Sequence, residues 1–211
     1  MALFQKKPQV QSGTPLYTLG AHKVILIIGL GNPGKEYSGT RHNIGFDVLD
    51  DFASKNGFPG WLSKKDLRSD ISTHTLGESQ VILCKPQTFM NSSGEAAQAV
   101  QRFYRVYNQN TLAVYDELAI PFGALRTRFG GSDGGHNGVK SLIRHLGDDF
   151  GRLRLGIGSD ISAKAVAADF VLGRFTKDEQ EVLPRIISEA SVMATEFIFG
   201  GQLPHETRSV L

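Results

Sequence analysis

The chain has 211 residues, of which 40% are hydrophobic, so it is long and apolar enough to bury a substantial core. Its formal net charge is only +2 at pH 7, and this balance does not by itself indicate a nucleic-acid-binding protein. The single cysteine, Cys84, excludes an intramolecular disulfide and a zinc site built from cysteines. Its place in an apolar segment is typical of a buried structural residue.

The first residues of the chain have the composition of a polar leader. Residues 1–21 include Lys6, Pro8 and Pro15, and they predict a poorly ordered extension before an α/β domain that spans residues 22–211. No apolar run approaches the ~20 residues that cross a bilayer, and no secretory signal core is present. We therefore expect a cytoplasmic protein that does not bind membranes.

Strands and helices alternate along the predicted domain. The apolar run Val24–Ile28 is rich in β-branched residues, which is typical of a central strand buried on both faces. A helix is expected from Asn43 to Lys55. Two strands joined by a short turn are expected next, at Leu67–Thr75 and Gln80–Lys85.

The middle of the chain combines helix and strand signals. Ser92 and Glu95 have the spacing of a capping box at the start of a second helix. Leu112–Tyr115 predicts a short strand that ends at Asp116, and strand ends often carry catalytic groups in α/β folds. Ala124–Phe129 alternates as a further strand.

The last third of the chain repeats this pattern. The glycine-rich loop Gly130–Gly138 leads into a helix, and Arg152–Gly158 alternates as another strand. Thr176 and Glu179 predict a capping box for a long helix that ends at about Phe199. The order of these elements predicts one α/β domain.

One glycine motif indicates a dinucleotide site only weakly. Gly29–Gly34 matches the pattern G-x-G-x-x-G. In a dinucleotide fold the helix begins inside the motif and an acidic residue ends the next strand. Here the loop extends to Thr40, and Asp50 and Asp51 fall inside the predicted helix. The dinucleotide oxidoreductase reading is therefore disfavoured.

Polar residues near turns and helix starts offer a different chemistry. The histidines lack paired metal-ligand spacing, and the serine motif G-x-S-x-G is absent. His42 and Asp116 remain, together with Asn32, Asn91 and Asn137. Such a set suits a histidine that activates water, a carboxylate that orients the ring and amides that hold carbonyl and hydroxyl groups. A lone histidine at a helix start is more often structural, so this pattern alone leaves both readings open.

Four long segments resemble the bacterial-type peptidyl-tRNA hydrolase family. In chain order they are GLGNPGKEYSGTRHNIGF, KPQTFMNSSGEA, YDELAIPFGALRTRFGGSDGGHNGVKS and FGRLRLGIG. The resemblance runs from Val24 to about Phe199, and it implies a single α/β domain with a twisted, mixed β-sheet packed between helices. The implied reaction is hydrolysis of the ester between a peptide, or an N-blocked amino acid, and the 3′ ribose of tRNA. No metal or other cofactor is implied.

The resemblance also assigns roles to individual residues. It implies that His42 is the catalytic base, that Asp116 is its partner and that Asn91 belongs to the catalytic set. Arg128 and Arg154 correspond to a basic pair that holds the 5′ phosphate of tRNA. The implied partner is peptidyl-tRNA, bound through its acceptor end and 5′ phosphate by a monomer. The implied substrate-binding residues are Asn32, Tyr37, Phe89, Met90, Asn91, His136 and Asn137.

One alternative function stays open. Plant organellar intron-splicing cofactors resemble the same family and can retain its catalytic residues while acting as non-catalytic RNA-binding proteins. Such a protein is expected to carry a transit peptide rich in serine and arginine. Residues 1–21 contain no arginine, which favours the enzyme.

Overall fold

The structure is a computed structural model that describes residues 23–159, 167–201 and 203–211. The predicted leader, residues 1–21, lies outside the described residues. The strands are β1 (Lys23–Gly29), β2 (Leu62–Lys64), β3 (Ser69–Leu76), β4 (Ser79–Pro86), β5 (Thr111–Pro121), β6 (Ala124–Phe129), β7 (Gly151–Gly158) and β8 (Thr207–Ser209). The helices are α1 (Ile44–Lys55), α2 (Ser93–Tyr104), α3 (Asn137–Leu146), α4 (Ala167–Leu172) and α5 (Lys177–Gly200).

The strands form one mixed sheet in the order β2-β3-β4-β1-β5-β7-β6-β8. The four central strands β4, β1, β5 and β7 are parallel, and the outer strands on both sides are antiparallel. The predicted α/β fold with a mixed sheet is confirmed. The run Val24–Ile28 lies in β1 between β4 and β5, as its apolar character predicted.

Helices cover both faces of the sheet. Ile25 and Ile27 of β1 pack in a core with α1 and α5, while Leu26 and Ile28 pack in a second core with α2 and α3. Successive residues of a strand point to opposite faces, and helices cover both faces here, so all four side chains are buried. Within the described ranges, no helix is long and apolar enough to cross a membrane.

The two predicted capping boxes have different outcomes. At α5, Thr176 Oγ1 accepts from the backbone N–H of Glu179 and Glu179 Oε2 accepts from that of Thr176, so this capping box is confirmed. At α2, Ser92 is the N-cap but its side chain makes no capping bond, so that prediction is wrong. The carboxylate of Glu95 pairs with Arg68 instead, and this removes it from the helix start.

Two predicted boundaries also differ from the structure. The helix expected from Asn43 begins at Ile44, because residues Arg41–Asn43 form a separate 3-10 turn. The prediction that a strand ends at Asp116 is wrong, because β5 continues to Pro121 and stays paired with β7, with a register shift between Glu117 and Pro121. The ladder between β1 and β5 stops at Val114. Asp116 therefore lies just beyond the end of β1, on a strand that is paired on its other side.

Candidate active site

Two glycines bring the start of α1 against the central strands. A Cβ atom on Gly45 would lie 2.4 Å from the carbonyl oxygen of Val114, and one on Gly29 would lie 2.4 Å from the carbonyl oxygen of Gly45. These distances leave no room for a side chain, so the backbones of the helix and the strands are in direct contact. This packing holds the 3-10 turn Arg41–Asn43, and with it His42, beside β5.

Asp116 accepts hydrogen bonds from two imidazoles. The Nδ1 atom of His42 lies 2.9 Å from Oδ1 and 3.1 Å from Oδ2 of Asp116. The Nε2 atom of His136 lies 3.0 Å from the same Oδ1. The His42 and Asp116 residues are 8% and 2% exposed, so this is a largely dry environment in which charge interactions are strong.

The start of α3 fixes the tautomer of His136. Its Nδ1 accepts hydrogen bonds from the backbone N–H groups of Gly138 (3.1 Å) and Val139 (3.3 Å). A ring nitrogen that accepts carries no proton, so the neutral ring has its proton on Nε2 and donates it to Asp116. Because an ionised carboxylate can only accept, Nδ1 of His42 also donates, and Nε2 of His42 is left with a lone pair.

The Asp116 carboxyl is held in its ionised form. Burial alone would raise the pKa of Asp116, but the charges and hydrogen bonds of His136 and His42 outweigh it and hold that pKa well below its usual range. A fixed negative charge stabilises positive charge on a neighbouring imidazole. His42 is therefore placed to accept a proton at Nε2.

A cavity of about 330 Å³ lies beside this group. Among the described residues, Nε2 of His42 has no hydrogen-bond partner, so it is available to a water molecule or a substrate. The lining includes four of the predicted site residues, His42, Asp116, His136 and Asn137. The other lining residues are Glu117, Leu118, Gly134, Gly135, Ala167, Ala168 and Val171.

Asn32 is held by two other segments of the chain. Its backbone N–H donates to Oδ1 of Asn43 (2.9 Å), and Nδ2 of Asn43 donates to its carbonyl oxygen (2.9 Å). The side-chain Oδ1 of Asn32 accepts from the backbone N–H of Met90 (2.8 Å). The amide NH₂ of Asn32 is therefore the part of its side chain that remains to donate to a ligand.

The other predicted substrate residues form a more exposed group. Asn91 is exposed in the 3-10 turn Met90–Ser92, while Met90 itself is buried. Phe89 is 60% exposed, and its ring meets that of Tyr37 edge-on, with 6.4 Å between centroids. These residues and Asn32 are absent from the described lining of the cavity. The predicted site residues therefore form two groups. One group surrounds Asp116, and in the other a hydrogen bond joins Asn32 to Met90.

Four arginines share one face of the strand pair β6–β7. Arg126 lies opposite Arg154, and Arg128 lies opposite Arg152. Residues directly opposite each other in an antiparallel pair project to the same side. Arg126, Arg128 and Arg154 line a cavity of about 250 Å³. Arg152 is buried and donates to two backbone carbonyls of the loop Gly130–Gly138. Its guanidinium therefore stabilises this loop.

Glu117 lies between the two cavities. It lines the larger one, and its Oε2 atom lies 3.9 Å from Nη1 of Arg154. Burial lowers the pKa of Arg154, and the nearby Tyr115 and Glu117 counteract this shift. The group around Asp116 and the arginine cavity are therefore neighbours.

His42, Asp116 and His136 also carry atoms that could bind a metal ion, but their hydrogen bonds disfavour metal binding. Ligand atoms of His42, Asp116 and His136 all lie within 4.8 Å of one another. A metal ion would need the lone pair of Nε2 on His136. That nitrogen carries the proton, because Nδ1 of the same ring accepts from two backbone N–H groups. The arrangement therefore favours hydrogen bonds from the two rings to Asp116 over coordination of a metal ion.

Arg41, Asn43 and Glu117 are polar residues at this site that the sequence patterns did not indicate. Arg41 and Asn43 flank His42 and are 6% and 5% exposed. The sequence feature that could have indicated Arg41 and Asn43 is a run of polar residues directly before the apolar face of α1. Buried polar side chains need hydrogen-bond partners, so such a run indicates that the turn contacts other segments.

Comparison with known proteins gives consistent sequence matches. The family model described as "Peptidyl-tRNA hydrolase" matches residues 26–209. A peptidyl-tRNA hydrolase of Clostridium novyi (strain NT) is 41% identical over 179 residues, which cover 84% of this chain and 93% of the relative. A peptidyl-tRNA hydrolase of Bartonella henselae is 44% identical over 162 residues, which cover 77% and 82% of the two chains.

Solved structures show the same similarity in three dimensions. A crystal structure of a peptidyl-tRNA hydrolase in complex with n-propanol has a TM-score of 0.79 and 35% sequence identity, and the match covers 88% of this chain and 94% of the other. The crystal structure of the peptidyl-tRNA hydrolase from Acinetobacter baumannii has a TM-score of 0.77 and 33% identity, covering 86% and 92%.

Proposed function

Because the chain belongs to the peptidyl-tRNA hydrolase family, we propose that it hydrolyses the ester between a peptide, or an N-blocked amino acid, and the 3′ ribose of tRNA. The products are the free peptide and a tRNA that can be charged again. The observation that carries the proposal is the pair formed by His42 and the ionised Asp116 beside a cavity of about 330 Å³.

His42 acts as the general base for a water molecule. Its Nε2 atom takes a proton from the water while the oxygen attacks the ester carbonyl carbon. The positive charge that forms on the ring is stabilised by Asp116, which already accepts from Nδ1 at 2.9 Å. When the tetrahedral intermediate collapses, the bond from carbon to the ribose oxygen breaks and the same proton passes from Nε2 to that oxygen. The ring is then neutral and ready for another turnover.

Amide groups stabilise the carbonyl and hold the substrate. The NH₂ group of Asn32 and the exposed side chain of Asn91 contact the peptide main chain near the ester. Asn137 begins α3 and lines the cavity, where it holds the water and the ribose end. An ester is an activated substrate, so a positioned water with carbonyl stabilisation is sufficient for hydrolysis.

The arginine cavity binds the 5′ phosphate of the tRNA. Arg128 and Arg154 line it and lie on the same face of β6 and β7. Their planar guanidinium groups can each donate two parallel hydrogen bonds to a phosphate. Glu117 links this cavity to the catalytic one, so the acceptor end and the 5′ phosphate are held side by side.

A hydrolysis assay tests the proposal. The purified full chain is incubated with an N-blocked aminoacyl-tRNA in a buffer with chelator and without nucleotide, and release of the amino acid is followed. The same tRNA with a free α-amino group serves as the comparison. We expect rapid cleavage of the blocked substrate and slow cleavage of the free one. Binding of the blocked tRNA without cleavage would refute the proposal and favour a non-catalytic RNA-binding protein.

A further inference from the structure

Arg41 is a buried cation that connects the catalytic turn to the C-terminal helices. Its side chain is 7% exposed. Nη1 donates to the carbonyl oxygen of Arg174 at 2.7 Å, and Nη2 donates to Oε2 of Glu179 at 2.7 Å. The guanidinium carbon lies 4.3 Å from the centroid of the Phe170 ring. One side chain thus contacts α4, the connection between α4 and α5, and the first turn of α5.

Backbone contacts reinforce this connection. The N–H of Arg41 donates to the carbonyl oxygen of Gly173 at 3.0 Å, and Thr40 forms an isolated antiparallel bridge with Arg174. The turn that holds His42 is therefore paired with the segment that follows α4, in addition to its side-chain contacts.

Glu179 contributes to two structures through one atom. Its Oε2 accepts from the backbone N–H of Thr176 at 2.7 Å in the capping box of α5. The same atom accepts from Nη2 of Arg41. The start of α5 and the catalytic turn are therefore held by one carboxylate.

The helix α4 is a wall of the catalytic cavity. Ala167, Ala168 and Val171 line the cavity together with His42. The contacts of Arg41 fix this wall to the turn that carries the base. A small displacement of one relative to the other would change the space between Nε2 of His42 and a bound ester.

We propose that Arg41 is a positioning residue that holds the turn carrying His42 at a fixed position relative to α4 and the start of α5. The proposal rests on the proposed role of His42 as base. Burying a guanidinium costs free energy, and its surroundings include the apolar rings of Phe170 and Phe175. If the only role of Arg41 were to fill space, an apolar side chain would be sufficient. The charged pair adds a fixed direction, because two donors of one planar group each have a defined acceptor.

The test compares Arg41→Met with Arg68→Met. Arg68 also pairs with a glutamate, Glu95, but at the surface, where the two side chains are 59% and 44% exposed. We expect Arg41→Met to lower kcat by roughly 10- to 100-fold, because a small misplacement of a catalytic group has effects of this size. KM should change by less than about three-fold, since Arg41 lies outside both proposed binding groups. Arg68→Met should leave both constants near wild type.

A spectroscopic readout separates positioning from a general loss of structure. The NMR signal of the His42 ring is identified by its loss in His42→Ala. We expect it to shift or broaden in Arg41→Met and to stay unchanged in Arg68→Met. Arg41→Lys, which keeps the charge beside Glu179 but loses the planar pair of donors, should give an intermediate kcat.

Several outcomes would overturn the inference. One is a wild-type kcat in Arg41→Met, and another is a lower kcat with an unchanged His42 signal. Where Arg41→Met does not fold, Glu179→Gln is measured by the same two readouts, and wild-type values in both contradict the proposal. If His42→Ala retains turnover, the proposed function of His42 fails. If His42→Ala is inactive while Arg41→Met is normal, only the role of Arg41 fails.

Discussion

At the scale of residues, the two imidazoles at Asp116 are not equivalent. His136 uses both ring nitrogens, one for the start of α3 and one for the carboxylate. Among the residues that the structure describes, His42 uses only Nδ1 for hydrogen bonds, and the residue itself lines the cavity. A general base needs a free lone pair within reach of the proton it removes. The hydrogen bonds therefore favour His42 over His136 as the base.

Removing the imidazole of His42 should abolish most of the activity. We expect His42→Ala to lower kcat by roughly 10²-fold or more, because the water loses its proton acceptor. Binding of uncharged tRNA should survive, since the arginine cavity is separate. Steady-state kinetics and a binding titration on the same sample check both statements. Near-normal turnover would contradict the role of base.

Replacing Asp116 by Asn should reduce kcat by roughly 10²-fold or more with a smaller change in KM. The single carbonyl oxygen of an amide cannot replace two carboxylate oxygens that face two ring N–H groups, and the amide carries no charge to stabilise a protonated ring. Single-turnover kinetics measure the chemical step directly. A single-turnover rate equal to that of the wild type would remove Asp116 from the mechanism.

Local patterns and resemblance identified His42 and Asp116 as a pair, but they gave His136 only a place in the cleft. Its bond to Asp116 joins residues that are 20 positions apart, and the bond from His42 joins residues 74 apart. Such contacts depend on how the sheet assembles, which spacing along the chain does not reveal. The catalytic roles of His42 and Asp116, like the roles of the asparagines and of the arginine pair, stay predictions.

At the scale of elements, long periodic segments were predictable and short ones were not. The pair of strands predicted at Leu67–Thr75 and Gln80–Lys85 appears as antiparallel β3 and β4, because a local turn determines their register. The strands β2 and β8 have three residues each, and α4 has six. Elements this short are stable only against a sheet that is already formed, so their own residues carry little signal.

The contact between α1 and the sheet can be tested at Gly45. A Cβ atom there would meet backbone atoms at 2.4 and 2.6 Å, so Gly45→Ala should force the helix away from the strands. We expect a loss of about 1–3 kcal/mol in the free energy of unfolding and a lower kcat, because the turn with His42 moves with the helix. Denaturant unfolding and kinetics provide the measurements.

Gly60 offers the matched control for this substitution. A Cβ atom there has no neighbour within 4 Å, so Gly60→Ala should change neither stability nor kcat appreciably. Equal effects of the two substitutions would mean that the close contact at Gly45 is not what positions the turn.

The arginines on the strand pair β6–β7 predict that tRNA binding depends on salt concentration. Arg128→Ala or Arg154→Ala should raise KM and lower the slope of log Kd against log salt by about 1, because each removes roughly one phosphate contact. The effect should be smaller for tRNA that lacks its 5′ phosphate. Lys64→Ala, at the opposite edge of the sheet on β2, is the control. An unchanged slope in both arginine variants would exclude the phosphate contact.

At the scale of the whole molecule, the site lies where the parallel ladder of β1 and β5 ends. Beyond Val114 the sheet leaves one side of β5 uncovered, and the turn with His42 occupies that place. Polar groups gather at such carboxyl ends in α/β sheets because helices and loops meet there. The whole sheet, with separate cores on its two faces, therefore supports the candidate site at the carboxyl ends of its central strands.

Global stability should depend on pH through Asp47 of α1. Burial and the nearby carboxylate of Asp50 raise the pKa of Asp47 to about 6, with partial compensation by Lys85. The unfolded chain has a value near ~4, so the native state binds the proton more tightly between about pH 4 and pH 6. Stability should therefore fall as pH rises through this window.

Asp47→Asn should remove this dependence. At pH 7 its free energy of unfolding should exceed that of the wild type by about 1–3 kcal/mol, and the difference should vanish near about pH 4. Asp66→Asn, at an exposed position, is the control. Urea unfolding at several pH values provides the measurement. A stability difference that is constant with pH would contradict the assignment to Asp47.

The shared carboxylate of Asp116 also makes activity a late signal of assembly. Its two partners come from segments 74 and 20 residues away, and one of them is oriented by the first turn of α3. A partly folded chain, or a fragment that ends before the loop Gly130–Gly138, therefore lacks the second imidazole that keeps Asp116 ionised, even if β1 and β5 have paired. Regain of ester cleavage during refolding should therefore follow regain of secondary structure, because contacts between distant segments form late.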